Sequence, residues 1–306
     1  MPRVLAALLH FLARALAALP WRWLARLADA VAARELRRGS REARIAARNL
    51  ELAYPDLPAG EREALRREIL RTTARQALAT LRLWTRPPAR NLARIVEQHG
   101  ADRLAAAITA GHGVIVAAPH HGNWELLNQW LASRTPLAIL YAPPESRVGD
   151  AFLNRVRAAQ GDPGRVTQIR AEAAGARQLF KWLQGGGVVG ILPDQQPKQG
   201  DGEFAPFFDR PALTMSLLGR LAARTGATVL VAWCECIGED ADGPRFALHV
   251  EPAPAGVSSR DIPTSVAALN AAVEQVARRD PAQYQWTYKR FSLQPDGSNP
   301  YWPDCY

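Results

Sequence analysis

Cysteine is scarce in this chain: 306 residues contain three, Cys234, Cys236 and Cys305. A Cys-x-Cys pair and one cysteine near the carboxyl end make neither a disulfide framework nor a Cys-x-x-Cys zinc half-site. Cys234 and Cys236 sit in the apolar run from Val229 to Ile237, which reads as a strand with core thiols and fits a reducing compartment. His10, His99, His112 and His249 are scattered without ligand spacing, so no metal is expected. A Walker loop and a dinucleotide fingerprint are absent; Gly185-Gly186-Gly187 precedes an apolar run and reads as a helix stop, not a phosphate cradle. Internal repeats and long low-complexity tracts are lacking. Acidic residues are outnumbered, 29 against 38 basic, for a net charge of +9. That excess favours anionic partners: membrane phosphates, nucleic acid or an acidic protein.

No uninterrupted apolar run is long enough to cross a bilayer easily. From Val4 to Leu19 the chain is almost all Ala, Leu, Val and Phe, broken by His10 and Arg14, whereas a spanning helix takes roughly 20 apolar residues. Arg3, His10 and Arg14 are seven and four apart, which places them on one helical stripe. Pro20, Trp21, Arg22, Trp23 and Arg26 follow as an aromatic and basic collar suited to lipid headgroups. Residues 1–33 are therefore expected to be a membrane anchor, interfacial or single-pass. An amphipathic helix packed on the domain and a cleaved signal peptide are the alternatives. Arg34, Arg37, Arg38, Arg41, Arg44 and Arg48 come next. Each would contribute about 1 kcal/mol against anionic lipid, or would form an ordinary solvated helix face.

Residues 34–306 are expected to form one α/β domain. Tyr54 to Pro58 breaks the helical pattern, Glu61 to Leu83 resumes it, and Pro87-Pro88 closes a helical first third. Beyond Arg94, Gly113–Ala118, Leu137–Tyr141, Gly187–Leu192, Ala227–Cys234 and Phe246–Val250 read as strands. Between and after them, Trp124–Ala132, Gly149–Gln160, Ala171–Leu183, Leu213–Thr225 and Ile262–Ala277 read as helices. Such alternation predicts a largely parallel sheet covered by helices.

The strongest chemical signal is Ala117-Ala118-Pro119-His120-His121-Gly122-Asn123-Trp124-Glu125. It joins a strand to a helix, and open α/β sheets bind ligands at the carboxyl ends of their strands. A histidine beside a carboxylate makes a general base, and a helix start offers N–H groups for a developing oxyanion. Spacing leaves two pairings open. In one continuous helix His121 and Glu125 share a face; if His120 lies in a loop before the helix, it pairs with Glu125 instead. Asp194, after Pro193, ends another strand at the same edge and reads equally as an Asx turn or a helix cap. Trp286, Tyr288, Lys289 and Arg290 suit a substrate groove, an edge strand or a packed helix alike.

The pattern Pro-His-x-Gly-Asn-Trp-Glu resembles that of the bacterial lipid A late acyltransferases, the lauroyl and myristoyl transferases of lipopolysaccharide assembly. The resemblance extends over nearly the whole chain: Arg48-Asn49-Leu50-Glu51-Leu52-Ala53-Tyr54-Pro55, Pro193-Asp194-Gln195, Pro206-Phe207-Phe208 and Pro281–Phe291 match further segments in order. It implies that His120 is the base and Glu125 its partner. It also implies a substrate-binding role for Asp194 and for an arginine near residue 157, with Arg165 the better match and Arg157 its rival. Asn123 and Gln195, inside the same motifs, join them as substrate-binding candidates. Asp209 stands where the family often has Gly, which bears on the backbone of that loop.

By the same resemblance the donor is acyl-acyl carrier protein, a co-substrate, so no resident cofactor is expected. The acceptor is a hydroxyl of a phosphorylated lipid A precursor, at the cytoplasmic face of the bacterial inner membrane. Another glycolipid or a lysophospholipid is the alternative acceptor. A non-catalytic lipid-binding membrane protein is the alternative from another class. A nucleic-acid partner is not expected, because the basic cluster adjoins the apolar segment instead of forming a stripe with stacking aromatics.

Overall fold

The computed structural model describes residues 2–142, 146–158 and 165–306. Five helices come first: α1 (Pro2–Ala17), α2 (Trp21–Arg38), α3 (Arg41–Ala53), α4 (Ala59–Thr85) and the short α5 (Pro88–Leu92). Gly39, in the left-handed region, ends α2, and Ser40 starts α3 by accepting the Ala43 N–H at 3.2 Å. Strands and helices then alternate through β1 (Ile95–His99), α6 (Ala101–Ala110), β2 (Val114–Ala117), α7 (Trp124–Arg134) and β3 (Leu137–Tyr141). Next come α8 (Arg147–Ala158), β4 (Val166–Arg170), α9 (Ala173–Gln184), β5 (Val188–Ile191) and a hairpin of β6 (Gly202–Phe207) with β7 (Arg210–Met215). The chain continues through α10 (Leu217–Thr225), β8 (Thr228–Asp240), β9 (Gly243–Pro252) and α11 (Ile262–Arg279) to an irregular carboxyl-terminal segment.

Seven of these strands form one sheet in the order β1-β9-β8-β2-β5-β3-β4. β8, β2, β5, β3 and β4 are parallel; β9 returns antiparallel to β8, and β1 lies parallel to β9. The expected sheet is thus present, with β9 and β1 as a reversed edge. Alternation along β2 shows how it is sandwiched. Val114 and Val116 enter a core with Leu104 of α6, Leu126 and Trp130 of α7 and Leu83 of α4, while Ile115 and Ala117 enter the opposite core with α9, α10 and α11. A third core at one end joins Ile45 and Leu50 of α3 and Ile69 of α4 to Phe207, Phe208, Trp286, Phe291 and Tyr301. Burying one Phe there contributes roughly 1.5–3 kcal/mol.

Two differences from the sequence reading have local causes. The run from Leu213 to Thr225 is not one helix: its start is β7, paired with β6 from Gly202↔Met215 to Phe207↔Arg210. The hairpin turn consists of Phe208 and Asp209, with φ of 51° and 57°. A two-residue turn of this hand needs left-handed backbone at both positions, so the site where Gly is usual holds Asp, which tolerates that region better than most residues. Phe208 is held there by burial and by its N–H bond to Glu274 Oε2 at 2.6 Å. Separately, β8 continues beyond Cys234 to Asp240, while β1 and β4 carry too few buried residues to announce themselves.

The amino-terminal helices have two characters. Trp21, Leu24 and Ala25 of α2 pack against Ala79 of α4, and α1 lies against α4 and α8. Their outer faces expose Leu5, Leu8, Leu9, Phe11, Leu12, Leu19, Trp23, Leu27 and Val31. Among the described residues no single helix is long and apolar enough to cross a membrane; α1 and α2 pass that test only together, and they are bent by 110° at Pro20. α2 runs through residue 33 without a break. Of the arginines that follow, Arg44 donates to the Gly39 and Asp304 carbonyls, and Arg48 binds the Pro300 carbonyl at 2.8 Å and Glu51 at 2.8 Å.

Candidate functional site

β2 ends at Ala117, and the next residue still donates to the Ile191 carbonyl of β5 at 2.9 Å. The chain then leaves the sheet as a loop before α7, so His120 and His121 both precede the helix. The reading in which His121 and Glu125 share one helical face is thereby excluded. Two features fix the loop. Asn123 caps α7, its Oδ1 accepting the Leu126 N–H at 3.0 Å, and its Nδ2 donates to Thr80 Oγ1 at 3.0 Å. Gly122 has φ of 61°, and a Cβ there would lie 1.9 Å from the Cys234 carbonyl oxygen, so β8 passes against bare backbone.

The backbone donors of the loop are spent inside the protein. The His120 N–H goes to Asp194 Oδ2, His121 to the Pro119 carbonyl, Gly122 to the Gln283 carbonyl and Asn123 to the Cys234 carbonyl. The expected anion-binding role therefore does not fall to these four groups, because they tie the loop to β5, β8 and the carboxyl-terminal segment.

His120 and Asp194 form the centre of the arrangement. Asp194 follows β5, adjacent to β2 in the sheet, and receives His120 twice: the backbone N–H on Oδ2 at 2.8 Å and Nδ1 on Oδ1 at 2.7 Å. The carboxylate is 3% exposed. Burial pushes its pKa up, but the His120 charge, the two hydrogen bonds and the Arg290 guanidinium outweigh that and hold it below the usual carboxylate value. An imidazole that donates from Nδ1 keeps its lone pair on Nε2. That lone pair faces the Gln195 amide, whose Nε2 is 3.3 Å away and also donates to Gln285 Oε1 at 3.2 Å. Trp124 covers the imidazole edge-on, its ring centroid 4.9 Å away. Gln285 itself donates its N–H to the His120 carbonyl at 3.0 Å, so the carboxyl-terminal segment holds both sides of the site.

Glu125 lies in the first turn of α7 with its carboxylate buried, 3% exposed. Asp194, read from the resemblance as substrate-binding, is the carboxylate on the His120 ring. The structure brings His120, Asp194, Gln195, Asn123 and Glu125 to one edge of the sheet. It does not bring Arg165 there. Arg165 precedes β4, and its carbonyl accepts the Leu137 N–H at 2.8 Å at the start of β3, so it lies at the amino ends of the parallel strands. Arg157 falls in α8, with its side chain outside the described residues. An arginine that sequence reasoning passed over, Arg170, ends β4 opposite Tyr141 at the carboxyl edge. No signal in the sequence singled it out, because β4 carries one buried residue and does not read as a strand.

The remaining matched segments build architecture. Asn49 is fully buried and donates to the carbonyls of Trp286 (2.6 Å) and Tyr288 (2.8 Å), while its Oδ1 accepts from Tyr301. Arg290, 3% exposed, donates to the Leu213 carbonyl at 2.6 Å, to Thr214 and to Asn270. The segment around Trp286 is neither an edge strand nor a helix; it is an irregular strap locked to α3 and β7. His121, next to His120, is fully buried, and among the described residues neither ring nitrogen has a hydrogen-bond partner. Burial pushes its pKa down to about 4.

Residues 1–292 match the sequence family described as bacterial lipid A biosynthesis acyltransferase. The lipid A biosynthesis palmitoleoyltransferase of Escherichia coli K12 is 27% identical over 83% of this chain and 80% of its own length. The lipid A biosynthesis lauroyltransferase of the same organism is 24% identical over 91% of this chain and 88% of its own. A phosphatidylinositol mannoside acyltransferase of Mycobacterium tuberculosis is 46% identical over 46 residues, 15% of this chain and 14% of its own.

Proposed function

Because this chain belongs to the bacterial lipid A biosynthesis acyltransferase family, we propose that it moves a fatty acyl chain from acyl-acyl carrier protein to a hydroxyl of a lipid A precursor, with His120 as general base. The observation that carries this reading is the doubly hydrogen-bonded His120–Asp194 pair at the carboxyl edge of the sheet, with the second ring nitrogen against the Gln195 amide. The acceptor hydroxyl takes the position that the Gln195 amide occupies beside Nε2. His120 removes its proton as the oxygen attacks the thioester carbon, and Asp194 stabilises the imidazolium that forms. The tetrahedral intermediate collapses with loss of the thiolate, which takes the proton from His120. A thioester is already activated, so no covalent acyl-enzyme is required. Proton transfer of this kind contributes about 10²–10⁴-fold, and holding both substrates in line contributes more. Glu125 serves as the second carboxylate beside His120, and Arg170, at the carboxyl end of β4, is the candidate to meet an acceptor phosphate.

The same reading sets α1 and α2 in the plane of the inner membrane's cytoplasmic face. Their exposed leucines enter the acyl boundary, and Arg14, Arg22 and Arg26 reach the headgroups, Arg26 stacking on Trp23 at 5.5 Å.

Acyl transfer from radiolabelled lauroyl- and myristoyl-acyl carrier protein, in membranes carrying wild type or His120→Ala, tests the reading. Acceptors are a Kdo-bearing tetraacylated lipid A precursor and a lysophospholipid. Product on the precursor that vanishes in the variant supports it. Product on the lysophospholipid alone keeps the chemistry and replaces the acceptor, and transfer that survives in the variant removes His120 from the mechanism. The short match to a mannoside acyltransferase favours a phosphatidylinositol mannoside as a third acceptor in the same assay.

A further inference from the structure

The sheet separates two unlike surfaces. On one side, the layer of α4, α7 and α8 carries the apolar outer faces of α1 and α2. On the other side lie α9, α10 and α11, where a cluster of exposed cations outnumbers the exposed carboxylates Glu172 and Asp261 at the starts of α9 and α11. Arg220 and Arg224 stand one turn apart on α10, and Arg177 and Lys181 one turn apart on the neighbouring α9, all four exposed. Arg220 and Arg224 line a groove of about 510 Å³ with Arg260, Ser216, Ser259 and Ser265. None of these five cations makes an ion pair, hydrogen bond or ring contact among the described residues. Elsewhere Arg48, Arg66, Arg67, Arg71, Arg75, Arg94, Arg278 and Arg279 all have carboxylate partners within 4 Å. Like charges one helical turn apart repel by a few tenths of a kcal/mol, so the cluster is kept at a cost to the free protein that an anionic partner would reverse.

Resting on the acyl-transfer reading above, we propose that the groove between α10 and the start of α11 is the docking surface for the acidic carrier protein that delivers the acyl thioester. Two observations choose a soluble protein over the bilayer. A helix layer, the sheet and a second helix layer separate this groove from the apolar faces of α1 and α2, so both surfaces cannot lie on one plane of lipid. The groove is also concave, with hydroxyls between the guanidinium groups, which suits an acidic helix laid into it. Its rim is tied to the segment that follows Asp194. Ser216 at its rim donates its N–H to the Asp201 carbonyl, and the chain from Asp201 runs back through seven residues to Asp194.

Arg220→Glu/Arg224→Glu in the full chain tests this, with Arg67→Glu/Arg90→Glu as an equal charge change elsewhere. Binding of lauroyl-acyl carrier protein is titrated directly. Transfer is assayed with that donor and with lauroyl-pantetheine, which carries the same thioester without the protein. The α10 double variant is expected to weaken carrier binding and raise KM for the carrier-borne donor by about tenfold or more at low salt, an effect that fades as salt rises. Its kinetics with lauroyl-pantetheine should be unchanged, and so should carrier binding by the control variant. Equal losses with both donors, or equal losses in both variants, would overturn the assignment. So would flotation with anionic vesicles that falls in the α10 variant while carrier affinity holds, which would assign the patch to lipid. If wild type transfers from neither donor, the acyl-transfer reading fails on its own, and the binding titration still decides the docking surface.

Discussion

Two places in this molecule bury polar side chains at similar depth and use them to opposite ends. In the strap, Asn49 and Arg290 direct their donors at backbone carbonyls and neighbouring side chains, and the result is a lock between α3, β7 and the carboxyl-terminal segment. At the strand edge, Asp194 fixes one nitrogen of His120 while the other meets only a glutamine amide that can move aside. Both places lie in segments that carry the family resemblance. Resemblance marks where residues are constrained; only hydrogen-bond geometry separates those that hold the fold from those left poised to react.

The largest expected effect breaks the reactive side alone. His120→Ala should lower kcat by about 10³-fold or more while the protein still folds, measured by acyl transfer beside calorimetry on the same preparation. Asp194→Asn should cost about 10²–10³-fold in kcat with little change in KM, since it unfixes the ring without emptying the substrate site. Glu125→Gln is expected to lose about 10²-fold, and activity at the wild-type level would take it out of the pair.

Breaking the strap should reverse the pattern. Arg290→Met removes the donors to the Leu213 carbonyl, Thr214 and Asn270 and should cost about 2–4 kcal/mol in denaturant unfolding, while kcat per folded molecule falls far less than in His120→Ala. A pH experiment sharpens the contrast between the adjacent histidines. The folded-state pKa of His121, about 4, lies below its ordinary value of 6.5. The unfolded chain therefore binds the proton first, so stability is complete above pH 6.5 and falls as pH drops towards 4. Between pH 7.5 and pH 5 the loss should be about 2 kcal/mol. His121→Gln should flatten that slope, and an unchanged slope would assign it to other groups. The smallest effect belongs to the hairpin turn: Asp209→Gly should stabilise by about 0.5–1 kcal/mol, read as a higher denaturation midpoint at constant activity.

Much of the sheet was legible before any coordinates. β2, β3 and β5 are short apolar runs bounded by Gly, Pro or charge, and their predicted limits lie within a residue or so of those observed. β1 was not legible because only Ile95 is buried while Val96 to His99 face out, a pattern without period. The β6–β7 hairpin was hidden by Pro206, Pro211 and an apolar stretch that runs on into α10. At the site, the motif located His120, but nothing local could link it to an aspartate 74 residues away. Arg165 went to the wrong edge because a sequence match carries no strand polarity. Arg170 is separated from it by the length of β4, and that length spans the sheet.

The strap also sets a timetable. Asn49 leaves the ribosome 237, 239 and 252 residues ahead of its partners Trp286, Tyr288 and Tyr301. The apolar faces of α3 and α4 therefore stay uncovered until those residues have emerged, and the third core closes only then. A chain stopped short of Tyr301 would carry every residue of the reactive edge and still lack the piece that seals it. Termination short of Tyr301 should thus yield substrates for quality-control proteases instead of a folded chain that lacks only its last segment.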